Sequence, residues 1–144
     1  MRILKATLAV AVTMTVIDLV WLGIIATDIY NDLLGPLRAK DTVVLAAALF
    51  YVQYVAIIVG FAALPSATVK QAAVRGAGMG WLAYATFEFT NWAVIENWPA
   101  TLVPIDIAWG VVLTASVAAA GRMAAGPPTE DASRPRSSWP KRLS

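Results

Sequence analysis

Apolar residues run along this chain instead of alternating with polar ones. Four stretches, 6–27, 42–64, 76–95 and 100–121, are almost continuously apolar. Each is about as long as the 20 or so residues that cross a bilayer at 1.5 Å of rise per residue. Backbone N–H and C=O groups in lipid must be satisfied within their own segment, so each stretch predicts a spanning helix. Turn-forming segments separate them: 28–41 with Gly35-Pro36, 65–75 with Pro65-Ser66 closing the second helix and Lys70 and Arg75 ahead of the third, and Glu96-Asn97-Trp98-Pro99. The last connection is so short that it forces helices three and four into an antiparallel hairpin. The expected fold is all-α: a polytopic membrane protein with four transmembrane helices in an antiparallel bundle over residues 1–122. Residues 123–144, rich in Ser, Pro and Arg, cannot bury a core and read as a disordered basic tail.

Composition agrees: 59% of the 144 residues are hydrophobic and 14% charged, well below the quarter that is usual in soluble domains. The first stretch exceeds a signal-peptide core, contains Asp18 and lacks a small-residue cleavage site, so it reads as a retained helix. With the N-terminus in the cytoplasm, Arg2, Lys5, Lys70, Arg75, Arg122, Arg134, Arg136, Lys141 and Arg142 all fall inside, and only Arg38 and Lys40 outside. That asymmetry predicts both termini cytoplasmic. The net charge of +2 follows from this topology and gives no sign of nucleic-acid binding. The basic tail, with Trp139, suits a solvated inner segment or one resting on anionic headgroups.

Three acids break the apolar runs: Asp18, Glu88 and Asp106. A charge at mid-bilayer costs roughly 2.5–3.5 kcal/mol even on lenient scales, so such residues pair, line a cavity or hold a proton. Counting along each helix places all three in the outer half or near the midplane, which predicts one shared chamber; the alternative is that each caps a separate interhelical hydrogen bond. The chain has no His and no Cys, which excludes thiol chemistry and the commonest metal ligand. With no internal base, at least one of the three is expected to hold a proton at neutral pH, and neighbouring sites titrate as a set.

Helix three is the most patterned. Gly76, Gly80, Tyr84 and Glu88 recur every fourth residue and share a face, glycines at one end for close contact and polar groups at the other. Asn91 shares the Glu88 face and is placed to orient it or to contact a ligand. On helix two, Gln53 is expected to point inward, and Tyr51 and Tyr54 each need a partner if buried, with the carboxyls as the obvious acceptors. Trp21 and Trp109 each follow an Asp by three residues, as chamber walls or as packing, and Trp98 reads as an interface anchor. Ile17-Asp18-Leu19-Val20-Trp21 and Ile105-Asp106-Ile107-Ala108-Trp109 share the pattern I-D-[LI]-x-W, too short to establish a duplication.

These motifs carry a resemblance. Asp18-x-x-Trp21-Leu22-Gly23, Ala48-Leu49-Phe50-Tyr51-x-x-Tyr54, Gly76-Ala77, Gly80, Ala83-Tyr84-Ala85-Thr86, Thr90-Asn91-x-Ala93, Trp98-Pro99 and Asp106-Ile107-x-Trp109-Gly110 occur in an order that resembles a bacterial family of small four-helix membrane proteins, domain of unknown function 2177. The match covers about residues 4–122. One departure stands out: Phe87-Glu88 occupies the place where the family pattern reads Tyr-Asp. The resemblance implies the topology, a location in the bacterial inner membrane and a motif-bearing polar interior, and no activity.

Three functions fit. The first is binding or proton-coupled transport of a small cation or amphiphile in an acidic, aromatic-lined pocket formed by Asp18, Glu88, Asp106, Asn91, Tyr84, Gln53, Tyr54, Trp21 and Trp109. The second is an accessory subunit of a larger membrane complex, its polar groups serving as interhelical glue. The third is a carboxylate-based lipid-modifying enzyme, disfavoured by the lack of an obvious nucleophile. No cofactor and no metal are expected, though a carboxylate-only metal site would suit the third reading. Membrane lipids, and other membrane subunits under the second reading, are the expected partners.

Overall fold

The computed structural model describes residues 1–127. Four long helices and one short one account for it. Helix α1 is Arg2–Val20, prolonged by a π-helical turn over Trp21–Ile25. Helix α2 is Thr27–Leu34, followed by a 3₁₀ turn at Gly35–Leu37. Helix α3, Val44–Ile57, also continues as π-helix, over Ile58–Ala63. Helices α4, Val69–Val94, and α5, Leu102–Ala125, complete the bundle. No strand occurs among the described residues. The tail with Arg134, Arg136, Trp139, Lys141 and Arg142 lies outside them, while α5 itself continues to Ala125, beyond the expected boundary at 122.

The segments Arg2–Ile25, Val44–Ala63 and Leu102–Ala125 are long and apolar enough to cross a membrane. Helix α4, at 26 residues, has the length but a more polar sequence. The outer surface of the bundle is apolar: Leu8, Val12, Val16 and Leu19 of α1 are all more than half exposed. The buried face of α1 is Ala6, Val10, Met14 and Asp18, one residue every turn. A helix apolar on its outer side, with its acid turned inward, is built for lipid.

Two segments read as loops are helical. The chain at Thr27–Leu34 places Ile29, Tyr30, Leu33 and Leu34 half-buried, with Asp28, Asn31 and Asp32 exposed. That is an amphipathic spacing lying over the end of the bundle. Gly35, at φ +48°, ends this helix in a backbone region open mainly to glycine. The start of α4 lies about two turns earlier than the apolar run indicated, so Lys70 and Arg75 belong to the helix. Thr68 caps it, its side chain accepting from Gln71 N–H at 3.1 Å, while Gln71 Oε1 accepts from Ala67 N–H at 2.7 Å. This variant of the T-x-x-Q capping box satisfies two otherwise orphaned donors.

Contact between α4 and α5 dominates the bundle and leaves no space for a side chain at its glycines. A Cβ on Gly76 would sit 2.5 Å from the Thr114 carbonyl oxygen and 2.8 Å from Ala118 Cβ; one on Gly80 would fall on the Gly110 carbonyl; one on Gly110 would enter the Tyr84 ring. Lipid tails are as apolar as the helices, so close van der Waals packing through small residues holds such a pair together. On the α1 side, a Cβ on Gly121 would press against Val10 and Ala63, which brings α1, α3 and α5 together near one end. At that end Arg122 donates to the Ala67 carbonyl at 2.8 Å, and Arg2 to the Leu64 carbonyl at 3.3 Å. The α3–α4 connection is thereby tied to both chain ends of the bundle.

Candidate functional site

The glycine contact sets a register. Gly76 lies against Ala118 and Thr114, Gly80 against Thr114 and Gly110, and Tyr84 against Gly110. Carried one more turn along both antiparallel helices, the same pairing brings Glu88 beside Asp106. Both are buried, Glu88 completely and Asp106 with 6% of its surface exposed, and their carboxyls lie within interaction range of one another. No basic side chain among the described residues contributes to their surroundings.

Each carboxyl has its own donor. Trp98 Nε1–H donates to Glu88 Oε2 at 3.0 Å, the Tyr30 hydroxyl donates to Asp106 Oδ1, and Tyr51 donates to Asp18 Oδ2 at 2.9 Å. Burial first, and then the neighbouring Asp106 carboxyl, push the Tyr30 phenol above its usual range, so it remains a donor. The other oxygen of Glu88, Oε1, is buried without a hydrogen-bond donor. The group within hydrogen-bond reach of Glu88 besides Trp98 is the Asp106 carboxyl, so a proton held between the two acids satisfies the pair.

Of the three acids of the expected chamber, two meet directly, Glu88 and Asp106. Asp18 accepts from Tyr51 and lies beside the Trp109 indole, one turn along α5 from Asp106, and no three acidic side chains among the described residues cluster as a metal site would require. Tyr84 is half-buried, packs against Gly110 and lines a pocket together with Asp106. Trp21 and Trp109, from the two I-D-[LI]-x-W segments, stack with centroids 4.2 Å apart and planes within 6°. One face of each ring is covered by the other, and the buried Trp21 indole lies beside the Tyr30 hydroxyl. The π-helical turn that begins at Trp21, closed by Ala26 N–H to Trp21 O at 2.7 Å, follows the acid by less than one turn. Such turns often accompany functional sites.

Other expected residues fall differently. Tyr54 is buried but hydrogen-bonds Thr114 Oγ1 at 2.7 Å in place of a carboxyl. Gln53, expected to point inward, is exposed. Tyr54 and Ile58 mark the inward face of α3, and Gln53 is turned off it into a surface groove between α3 and α4 that also includes Phe61, Met79 and Thr86. Asn91 is half-buried, and the hydrogen bond to Glu88 comes from Trp98. Trp98 reaches Glu88 because Asn97 adopts φ +61° and turns the chain back. Tyr30 and Trp98 were missed as ligands of the acids because both lie in segments read as loops. The amphipathic spacing of 27–34 was the available signal for Tyr30; no local signal existed for Trp98.

A pocket of about 260 Å³ opens beside this pair, lined by Phe50, Ala83, Tyr84, Phe87 and Asp106. It gives the acid an aromatic-walled approach from the α3–α4 side.

An apolar helical exterior around buried acids defines an integral membrane protein. Consistent with this, a family model described as "Predicted membrane protein (DUF2177)" matches residues 3–123. The chain belongs to that family, whose function is unknown. No curated protein and no solved structure matches it.

Proposed function

We propose that the Glu88–Asp106 pair binds a small cation or a cationic amphiphile that exchanges with protons, entering between α3 and α4. The observation that carries this reading is a buried pair of adjacent carboxyls, with no base among the described residues contributing to their surroundings, and a pocket reaching Asp106. Such a site lacks positive charge, and a proton or an organic cation supplies it. Phe50, Tyr84 and Phe87 at the entrance suit the apolar body of an amphiphile, and aromatic faces also attract cations. In this reading α4 crosses the membrane as the fourth span, carried by its contact along α5, and both termini face the cytoplasm of a bacterial inner membrane, as the basic residues indicate.

Purified protein in detergent, titrated with tetraphenylphosphonium in weak buffer, tests it. Binding is expected to release protons and to change the fluorescence of Trp98, the donor to Glu88. Glu88→Gln is expected to abolish both signals. Trp98→Phe should remove its share of the fluorescence change while proton release persists. Unchanged binding and proton release in Glu88→Gln would refute the reading.

A further inference from the structure

The two long helices α1 and α3 leave a groove between them that no other element fills. Its volume is about 670 Å³, within the range of ligand sites. One wall is a stripe of α1, Ile3, Thr7, Ala11 and Thr15, one residue per turn; the other is α3 and its π-helical continuation, including Val55, Val59, Gly60 and Leu64. From Ile3 to Thr15 the groove runs roughly 18 Å at 1.5 Å per residue. That is close to the depth of one leaflet's hydrocarbon, half of about 30 Å. The lining is almost wholly apolar.

At one end the character changes. Arg2 precedes Ile3, and its guanidinium reaches only the Leu64 carbonyl, at 3.3 Å, while its Nε–H is buried with no acceptor. No carboxylate among the described residues bonds Arg2; Arg122, whose Nε–H is likewise buried without an acceptor, is held through its other nitrogens by the carbonyls of Ala67 and Gly126. A leaflet-deep apolar trough ending at an under-satisfied guanidinium matches one kind of molecule.

We infer that this groove holds an anionic phospholipid of the leaflet on the N-terminal side, one acyl chain between α1 and α3 and its phosphate on Arg2. The guanidinium fork suits phosphate oxygens, and the charge sets the preference over a zwitterionic lipid. The site is remote in sequence from the Glu88–Asp106 pair and does not depend on its role.

Gly60 makes the test specific. A Cβ there meets nothing within 4 Å, and Gly60 lines the groove, so Gly60→Leu puts a side chain into the trough from an unobstructed root. Native mass spectrometry of delipidated protein, with phosphatidylglycerol or phosphatidylcholine of identical chains added back, reads occupancy. Wild type is expected to retain one phosphatidylglycerol at concentrations where phosphatidylcholine is at least tenfold less retained. Gly60→Leu should lower retention of both lipids about tenfold or more, and Arg2→Gln should bring phosphatidylglycerol down to the phosphatidylcholine level. Ala56→Leu, on the same wall, replaces Gly60→Leu if that variant fails to fold by far-ultraviolet circular dichroism. Equal retention of the two lipids by wild type, or phosphatidylglycerol retention unaffected by Arg2→Gln or by groove filling, would overturn the assignment.

Discussion

Replacing Gly80 with alanine places a methyl group where the Gly110 carbonyl already lies, with Thr114 Oγ1 2.8 Å away. The same change at Gly76 brings Cβ to 2.5 Å from the Thr114 carbonyl oxygen. Comfortable contact between heavy atoms begins near 3.5 Å, so either change drives α4 and α5 apart by roughly 1 Å. Both obstructing groups include backbone, which cannot swing aside. Overpacking of this kind costs about 1–3 kcal/mol, against which alanine returns about 0.5–1 kcal/mol of helix preference over glycine. The net expectation is a loss of about 1–2 kcal/mol for Gly80→Ala. Gly78 supplies the control: it lies on the same helix, and a Cβ there meets nothing within 4 Å. Gly78→Ala should be neutral or stabilising by up to about 1 kcal/mol. Reversible unfolding in mixed micelles of rising dodecyl sulfate fraction, followed by circular dichroism, measures both. The register that brings Glu88 to Asp106 depends on this contact, so Gly80→Ala should also shift Trp98 emission. Equal stability of Gly80→Ala and Gly78→Ala would refute the close-contact account and the register built on it.

Two further outcomes are expected. Tyr51→Phe leaves buried Asp18 without its phenolic donor and should lower stability by about 1–3 kcal/mol; in a double-mutant cycle with Asp18→Asn, measured by the same unfolding assay, the losses should fall well short of adding. Asn97→Val forces a β-branched residue into the left-handed backbone region and should cost about 1–2 kcal/mol while releasing the Trp98 indole from Glu88; Asn97→Gly should leave both the stability and the emission of Trp98 close to wild type.

Much of the site was visible in the order of residues, because a carboxyl within an apolar run is a conspicuous exception. The four-residue repeat Gly76, Gly80, Tyr84, Glu88 also gave the buried face of α4 directly, since period and helix geometry agree there. Gln53 shows the limit. Polarity alone pointed it inward, yet the phase of α3 is set by Tyr54 and Ile58, and Gln53 follows that phase to the surface. Tyr54 shows another limit: its need for a partner was evident, but which partner depended on where Thr114 stood across the α3–α5 contact.

Length and apolarity by themselves determined that this chain is a helical membrane protein, because a bilayer leaves the backbone few other choices. They also determined that Asp18, Glu88 and Asp106 would turn away from lipid. Which acids meet was decided only in three dimensions. The packing of Gly76 and Gly80 on α5 sets the offset of two helices to within a fraction of a turn, and that offset joins Glu88 to Asp106. Tyr30 and Trp98 then arrive from connecting segments: the amphipathic spacing of 27–34 marks the helix that carries Tyr30, but the acid each one reaches depends on turns and on folding back over the bundle.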